Sequence, residues 1–239
     1  MLEVGAGIGT LTLGLAERAG WVTAVEVDRR LLPALTSTAE GVANVQIVPG
    51  DILTLSPAGL FGGPAGAPRK VVANLPYNIG SAVISRLLAE ALGLSLMVVT
   101  VQQEVAERIV AAPGTSSYGI LSLAVQYRAR PHIAGRISPG SFLPAPEVAS
   151  AIVRLTPLLE PPVAGVDERT LFRVIRAGFG QRRKMLQAAL TGGLGLPKPA
   201  VVEALTLAGI DPRARAETVD LPAFGRLAHR LGRHLIAGA

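Results

Sequence analysis

Glu3-Val4-Gly5-Ala6-Gly7-Ile8-Gly9-Thr10 is the stretch that decides the fold of this 239-residue chain. The apolar residues before Gly5 predict a β-strand, and the spacing of apolar residues from Thr10 to Ala19 predicts a helix. Glycine permits a sharp turn and a close approach to a ligand, and the first turn of a helix offers free N–H groups. The stretch therefore predicts a small-molecule site, although a strand–helix turn without a ligand would have the same pattern.

The spacing of the glycines distinguishes two classes of nucleotide site. A dinucleotide fingerprint has the order G-x-G-x-x-G, which would place its third glycine at position 10, where Thr10 stands. The observed order, acidic-x-G-x-G-x-G, resembles the first motif of Rossmann-like methyltransferases. We therefore expect S-adenosyl-L-methionine as the cofactor and disfavour a nicotinamide-dependent oxidoreductase. The residues of this motif that we assign to the cofactor site are Glu3, Gly5, Gly7 and Gly9.

Short apolar runs alternate with helical stretches through the first half of the chain. Their Val, Ile and Leu content predicts strands buried on both faces of a parallel sheet. Repeated strand–helix units predict a doubly wound α/β sheet. The resemblance of the first motif implies that this is a Rossmann-like class I methyltransferase sheet, and we expect it to be joined to a small C-terminal helical domain. The predicted strands are Met1–Val4, Trp21–Glu26, Val45–Val48, Lys70–Ala73, Leu94–Val101, Ile133–Ser138 and Ser150–Leu155.

The proline-rich segment Thr156–Val166 marks a domain boundary. All the predicted strands precede it, and helices separated by Gly and Pro breaks follow it. We expect residues 1–160 to form the S-adenosylmethionine-dependent methyltransferase domain and residues 161–239 to form a helical domain that docks RNA.

The charge distribution supports an RNA partner for the second half. Residues 1–100 hold 6 Lys+Arg and 7 Asp+Glu, whereas residues 101–239 hold 17 and 10, so the net charges are −1 and +7. A concentrated positive charge favours a polyanion such as RNA. An arginine-rich proteome would give the same composition without RNA binding.

The composition also bears on compartment and on other ligands. The longest apolar run, Leu92–Val101, is about half a membrane span, so no membrane partner is expected. No export signal precedes the first motif, so we expect a cytoplasmic protein. We also expect the protein to act as a monomer. The chain has no cysteine, and its three histidines lack metal-ligand spacing, so no metal is expected.

Acidic residues follow two further strands at positions suited to a nucleoside. Glu26 ends the second strand, 17 residues after Gly9, where a carboxylate can accept both ribose hydroxyls. Asp51, followed by Ile52, comes after the third strand and can accept the amine of the cofactor's adenine, unless it only closes a turn. Asp28 is expected to cap the next helix. We assign Glu26, Asp51 and Ile52 to the cofactor site.

Asn74-Leu75-Pro76-Tyr77 follows the fourth strand and is the most specific motif, although a proline turn with a packed tyrosine is the alternative. The carboxyl ends of strands in a doubly wound sheet face the ligand crevice. An adenine amine is a poor nucleophile because its lone pair is delocalised into the ring. The Asn74 side chain and the Leu75 carbonyl can accept its two hydrogens and draw it toward tetrahedral geometry. Pro76 stiffens the loop, and Tyr77 can stack on the base, a contact worth ~1–3 kcal/mol.

At these residues the sequence resembles the ribosomal RNA adenine dimethyltransferase family, which includes KsgA-type small-subunit enzymes and macrolide-resistance methylases. Leu75 and the Phe-x-Pro-x-Pro order beginning at Phe142 favour the KsgA-type branch. The resemblance extends over nearly the whole chain through four further blocks, Gln103–Arg108, Ser117–Ser122, Phe142–Val148 and Phe179–Lys184.

The resemblance implies a substrate and several residue roles. The substrate is a pair of adjacent adenines near the 3′ end of 16S rRNA, each N6-dimethylated within the assembling small ribosomal subunit. Phe142 closes on the other face of the base held by the acceptor loop, and the cofactor is contacted by Gly5, Glu26, Asp51 and Asn74. Two rivals remain: a 23S rRNA adenine methylase conferring macrolide resistance, and a ribosome-assembly factor that binds RNA without methylating it.

Two features depart from the family pattern. Members carry, before the first motif, a segment with a Gly-Gln-Asn-Phe-Leu-like block that also touches the cofactor, whereas here the first strand begins at Met1. From this difference we expect a folded protein that binds S-adenosylmethionine weakly and turns over slowly. Ala149 stands where an acidic residue is usual.

The chain beyond the linker has a basic amphipathic pattern. Four arginines at intervals of 4, 3 and 7 predict one exposed helix face, Arg169, Arg173, Arg176 and Arg183. Gly178 and Gly180 are expected to kink or break that helix. The basic cluster at residues 182–184 can contact RNA phosphates, unless it is simply a solvated surface. We assign RNA binding to Arg182, Arg183 and Lys184.

Overall fold

The computed structural model describes residues 1–181 and 183–236, and the chain forms two compact units. The first unit contains residues 1–106 and 128–158, and the second contains residues 107–127 and 159–239. The sequence-based division assigned all of residues 1–160 to the methyltransferase domain. Residues 107–127 are grouped instead with the C-terminal helices.

The first unit is built on a seven-stranded sheet in the order β3-β2-β1-β4-β5-β7-β6. Strands β1 to β5 are parallel, while β7 pairs antiparallel with both β5 and β6. The strand bounds are β1 Leu2–Val4, β2 Val22–Glu26, β3 Val45–Pro49, β4 Arg69–Asn74, β5 Leu94–Gln102, β6 Ala129–Ile137 and β7 Ser150–Pro157.

The position of each strand in the sheet explains its composition. Every residue of β1 and β2 is buried, as expected for central parallel strands covered on both faces. Strand β6 lies at the edge and alternates between half-buried and exposed residues along most of its length. It begins at Ala129, four residues before the predicted start at Ile133, because an edge strand tolerates a proline such as Pro131.

The helices of the first unit follow the parallel strands. They are α1 Thr10–Ala16, α2 Leu32–Thr38 and α3 Gly80–Ala89, and α4 Gln103–Val110 continues into the second unit. The prediction that Asp28 caps α2 is wrong, because that helix begins four residues later. The Asp28 carboxylate instead accepts the Arg30 backbone N–H at 2.9 Å and pairs with the Arg30 guanidinium at 2.7 Å.

The second unit is helical and has its own hydrophobic core. Its remaining helices are α5 Ile120–Gln126, α6 Glu168–Phe179, α7 Leu186–Leu194, α8 Lys198–Leu207 and α9 Leu221–Ile236. Residues 107–127 join this core through their aromatic side chains. The Tyr118 hydroxyl donates to the Val219 carbonyl at 3.0 Å, and Tyr127 packs edge-to-face on Phe172 with ring centroids 5.4 Å apart.

The basic pattern after the linker is only partly helical. Arg169, Arg173 and Arg176 are exposed on α6, as expected. The helix ends at Phe179 with Gly180 as its C-cap, so the predicted break at these glycines is confirmed, while the prediction that Arg183 lies on the same helical face is wrong. None of the helices in the described part of the chain combines the length and the apolar character of a membrane span.

Candidate functional site

The glycine loop joins β1 to α1 and requires glycine for two separate reasons. Gly5, Gly7 and Gly9 all have positive φ, between 61° and 93°, a backbone region that glycine adopts without steric cost. A Cβ at Gly9 would lie 2.9 Å from the Thr38 side chain, and one at Gly5 would lie 3.4 Å from Pro76 Cδ. The loop therefore packs closely against both α2 and the Asn74–Tyr77 loop.

Glu26 lies at the carboxyl end of β2, as predicted, and is 6% exposed. Its Oε2 accepts the Gly7 backbone N–H at 2.7 Å, and its Oε1 accepts the Asp28 N–H at 2.8 Å. A carboxylate offers about four lone-pair positions, so each oxygen retains capacity for a ligand hydroxyl. Glu26 thus also restrains the glycine loop, a role that the sequence did not indicate.

Glu3 lies beneath the loop on β1 and is 1% exposed. Its Oε2 accepts a hydrogen bond from the Thr12 hydroxyl at 2.6 Å, which ties β1 to α1. Burial is the main cause that raises the pKa of Glu3 from 4.5 to about 7; the Thr12 hydrogen bond opposes this increase, and the Glu26 carboxylate adds a smaller part of it. The structure thus gives Glu3 a scaffolding role, while its contact with the cofactor stays a prediction.

Asp51 and Ile52 follow β3 in a turn that is fixed from two sides. Asp51 Oδ1 accepts the Leu53 N–H at 2.8 Å, and Ile52 is 3% exposed. From α3, Arg86 donates to the carbonyls of Ile52 and Leu55, both at 2.8 Å. The half-buried Asp51 carboxylate is therefore held at the carboxyl edge of the sheet.

The Asn74–Tyr77 loop leaves β4 at the same edge, beside the glycine loop. Its backbone is restrained because Leu75 N–H donates to the Thr100 carbonyl at 3.1 Å and the Leu75 side chain is buried. The Pro76 carbonyl accepts N–H groups of the following turn, from Ile79 and Gly80. Asn74 is exposed, so its amide can reach a ligand.

Phe142 is brought to this loop although it lies 65 residues beyond Tyr77. Both rings are half-buried, and they line an open cavity of about 280 Å³. The cavity thus unites all five residues predicted to act on the target base. Its lining is Asn74, Leu75, Pro76, Tyr77, Phe142, Leu143, Pro144 and Pro146.

Ser150 is a site residue that the sequence did not indicate. The Tyr77 hydroxyl and Ser150 Oγ are 2.6 Å apart, so the two side chains share a hydrogen bond. Ser150 is the first residue of β7 and is fully buried. A lone serine 73 positions from its partner carries no local sequence signal.

The predicted RNA-binding cluster follows α6 in the second unit. Arg183 and Lys184 are exposed between α6 and α7. Arg182 lies outside the described residues.

Comparisons with known proteins agree with this geometry. The sequence profile of the family described as "Ribosomal RNA adenine dimethylase" matches residues 1–230. "Ribosomal RNA small subunit methyltransferase A" of Pelotomaculum thermopropionicum is 45% identical over 236 residues, covering 95% of this chain and 80% of the relative. A dimethyladenosine transferase structure from Plasmodium falciparum aligns with a TM-score of 0.80 at 24% identity, covering 97% of this chain and 89% of that one. The 23S rRNA methyltransferase ErmE aligns with a TM-score of 0.68 at 30% identity, covering 97% and 90%.

The sheet order and the glycine loop at its centre define a Rossmann-like class I methyltransferase. Within that class, the chain belongs to the ribosomal RNA adenine dimethylase family. The predicted fold class, the predicted enzyme class of rRNA adenine dimethyltransferase, and S-adenosylmethionine as cofactor are confirmed.

Proposed function

We propose that this enzyme dimethylates the N6 amines of two adjacent adenines near the 3′ end of 16S rRNA, within the small ribosomal subunit. The 45% identity to a small-subunit methyltransferase, compared with 30% for the 23S rRNA enzyme, supports the small-subunit substrate. The observation that carries the proposal is the position of the Asn74–Tyr77 loop. It lies against the glycine loop on one side and shares a cavity with Phe142 on the other.

The residues at the carboxyl ends of β1, β2 and β3 suit S-adenosylmethionine. Apart from Gly7 and its two chain neighbours, no described residue has a heavy atom within 4 Å of the position that a Cβ on Gly7 would take, so a ligand can approach the backbone there. The carboxylates of Glu26 and Asp51 are acceptors suited to hydroxyl and amine groups. When bound, the cofactor supplies an electrophilic methyl group.

The acceptor loop prepares the adenine amine for attack. The Asn74 side-chain oxygen and the Leu75 carbonyl accept the two amine hydrogens and draw the lone pair out of conjugation with the ring. Asn74 and Leu75 would thereby hold the amine nitrogen toward the methyl group that bound S-adenosylmethionine would supply, and transfer would leave this nitrogen as an aminium. The resulting aminium is acidic and loses its proton to solvent, so the chain need not supply a strong general base.

Two aromatic side chains hold the base in this position. Tyr77 stacks on one face and Phe142 closes on the other, with the base extruded from its RNA stack. The hydrogen bond between Tyr77 and Ser150 restrains the first ring. Holding the amine and the methyl group in alignment provides most of the rate enhancement.

RNA docking is assigned to the helical residues of the C-terminal region, 161–239. The second unit holds 13 Lys+Arg and 8 Asp+Glu, a net of +5, whereas the first holds 10 and 9, a net of +1. Within it, Arg182, Arg183 and Lys184 contact RNA phosphates.

The test is labelled-methyl transfer to small ribosomal subunits that lack the modification, followed by mapping of the modified bases. We expect two methyl groups on each of two adjacent 16S adenines, and transfer slowed ~10²–10³-fold by Asn74→Ala. Large subunits and 23S rRNA are the matched substrates. Labelling of 23S rRNA alone would favour the 23S methylase. Tight subunit binding without transfer to either RNA would favour the assembly factor.

A further inference from the structure

Helix α9 has a basic face, and its residues are distinct from the predicted RNA-binding cluster at residues 182–184. Its 16 residues contain no Asp or Glu. Five basic residues recur at i, i+3, i+4, i+7 and i+8, which places them on one side of the helix, while the opposite side is buried in the core. All five are exposed: Arg226, His229, Arg230, Arg233 and His234.

This face lines a groove within the second unit, formed by α8, α9 and residues 162–165. Two cavities of about 400 and 280 Å³ make up the groove, and both are lined by Leu207, His229 and Arg230. Arg226 extends the basic lining in the first cavity and Arg233 in the second. The face is therefore one wall of a concave surface.

Two of the five basic residues have structural roles in the groove walls. Arg226 Nε donates to the Ala208 carbonyl at the end of α8, at 3.0 Å. His229 Nδ1 lies 2.7 Å from the Gly165 carbonyl, and because a carbonyl only accepts, this nitrogen carries the proton. These contacts hold α8 and residues 162–165 against α9.

Arg230 and Arg233 have no such role. Within the part of the chain that the structure describes, neither side chain has a hydrogen bond or an ion pair. An arginine fork matches phosphate oxygens in a bidentate manner. At a rise of 1.5 Å per residue, Arg226, Arg230 and Arg233 together extend about 10 Å along α9. Glu203 on α8 also lines the groove, and its negative charge favours a phosphate position closer to α9.

We propose that the α8–α9 groove is a second phosphate-binding surface for ribosomal RNA, in which Arg230 and Arg233 bind the phosphodiester backbone. The proposal rests on the proposed function, since it takes the same RNA as the partner. Ribosomal RNA would then contact two parts of the second unit, the cluster at residues 182–184 and the basic face of α9. The net charge of +5 on this unit is consistent with such a partner.

The experiment measures binding of the full chain to small ribosomal subunits lacking the modification, over a series of salt concentrations. The test variant is Arg230→Gln/Arg233→Gln, which leaves Arg226 and His229 in place. The control, Arg18→Gln/Arg130→Gln, removes the same charge at exposed positions of the first unit, outside the groove. If both arginines contact phosphates, the log–log salt slope falls by about 1.4–1.8 in the test variant. The control keeps a slope close to that of the wild type.

The outcomes separate this inference from the proposed function. Equal slopes for the test and control variants overturn it, as does a loss of affinity without a change of slope, because neither indicates a phosphate contact. Unchanged S-adenosylmethionine affinity and thermal stability show that the test variant is folded. Failure of the wild-type protein to methylate 16S rRNA would instead overturn the proposed function, and it is measured separately.

Discussion

Tyr77 and Ser150 show how a single hydrogen bond can fix a binding surface. The Ser150 hydroxyl is fully buried, and a buried hydroxyl without a partner costs about 1–3 kcal/mol. Pairing it with the Tyr77 hydroxyl at 2.6 Å satisfies both groups and restrains a half-buried ring. The base would then meet an aromatic face that is already oriented, so less ordering accompanies binding.

Asn74→Ala tests the assignment of the amine acceptor. Loss of one aligned transition-state contact commonly costs ~10²–10³ in rate, and we expect a decrease of this size in kcat. RNA affinity should stay close to the wild-type value, since Asn74 aligns the amine and does not dock the RNA. Single-turnover methyl transfer and subunit binding measure the two effects. Retention of more than half the activity would contradict the assignment.

A double-mutant cycle tests the Tyr77–Ser150 contact. Tyr77→Phe and Ser150→Ala each remove one hydroxyl of the pair, and we expect each to lower kcat about tenfold, equivalent to about 1.4 kcal/mol. The double variant should be no slower than either single variant, because the same interaction is lost in all three. S-adenosylmethionine affinity serves as the control and should not change. Additive losses would show that the two side chains act separately.

Glu26→Ala tests the cofactor site. Hydrogen bonds to charged groups contribute roughly 1.5–3 kcal/mol, so calorimetry should show S-adenosylmethionine affinity reduced about 10- to 100-fold. Glu26→Gln separates ligand binding from loop restraint, because its amide has one acceptor oxygen and can retain only one of the bonds to Gly7 and Asp28. We expect it to fall between the wild type and Glu26→Ala. Unchanged affinity in folded Glu26→Ala would reject the assignment.

At the scale of elements, local signals predicted the sheet well but not the ends of every helix. Apolar runs bounded by Gly and Pro located all seven strands, because each strand must bury its own side chains. The end of α6 at Phe179 was harder to predict, since the arginine spacing continues to Arg183 although the helix does not. Gly180, three residues before the end of the arginine pattern, can kink a helix or stop it, and only packing decides between these outcomes.

The junction of β1 and α1 should give the protein a measurable pH dependence. The pKa of Glu3 is about 7 in the folded protein, against an ordinary value of 4.5. Between these values the folded state binds more protons than the unfolded state, so the free energy of unfolding falls as pH rises. Below about pH 4.5 the contribution of this group is fully present, and above about pH 7 it is lost. A shift of this size corresponds to about 3 kcal/mol.

Glu3→Gln should remove this dependence. The amide has no proton to titrate and its oxygen can still accept the Thr12 hydrogen bond. Urea denaturation at pH 5 and pH 8 should show the variant gaining up to about 3 kcal/mol of stability relative to the wild type as pH rises. Glu17→Gln, at an exposed carboxylate with 72% of its side chain accessible, is the control. A difference between Glu3→Gln and the wild type that is the same at both pH values would contradict burial as the cause.

The proline-rich linker predicted only part of the division of the chain into two compact units. The helices after residue 159 form one unit, as the linker indicates, but residues 107–127 pack with them through Tyr118 and Tyr127. The hydrophobic periodicity of a segment does not reveal which core it packs into when that core is built from residues distant in sequence. The acceptor-loop site also depends on contacts between residues distant in sequence. Phe142 lines its cavity and Ser150 bonds to Tyr77 because of the sheet topology, not because of sequence proximity.

The two units differ in charge, and this difference predicts that RNA and cofactor binding can be weakened independently. Removing Arg183 and Lys184 by substitution to Ala should reduce the log–log salt slope of RNA binding by about 1.4–1.8, since each lost phosphate contact contributes about 0.7–0.9. S-adenosylmethionine affinity should be spared, because the predicted cofactor residues lie in the first unit, whose net charge is only +1. Glu26→Ala should show the reverse pattern, with weakened cofactor binding and an unchanged salt slope. The salt slope of RNA binding and the S-adenosylmethionine affinity are both measured for the Arg183→Ala/Lys184→Ala variant and for Glu26→Ala. An unchanged slope in the Arg183→Ala/Lys184→Ala variant would mean that this cluster is only solvated.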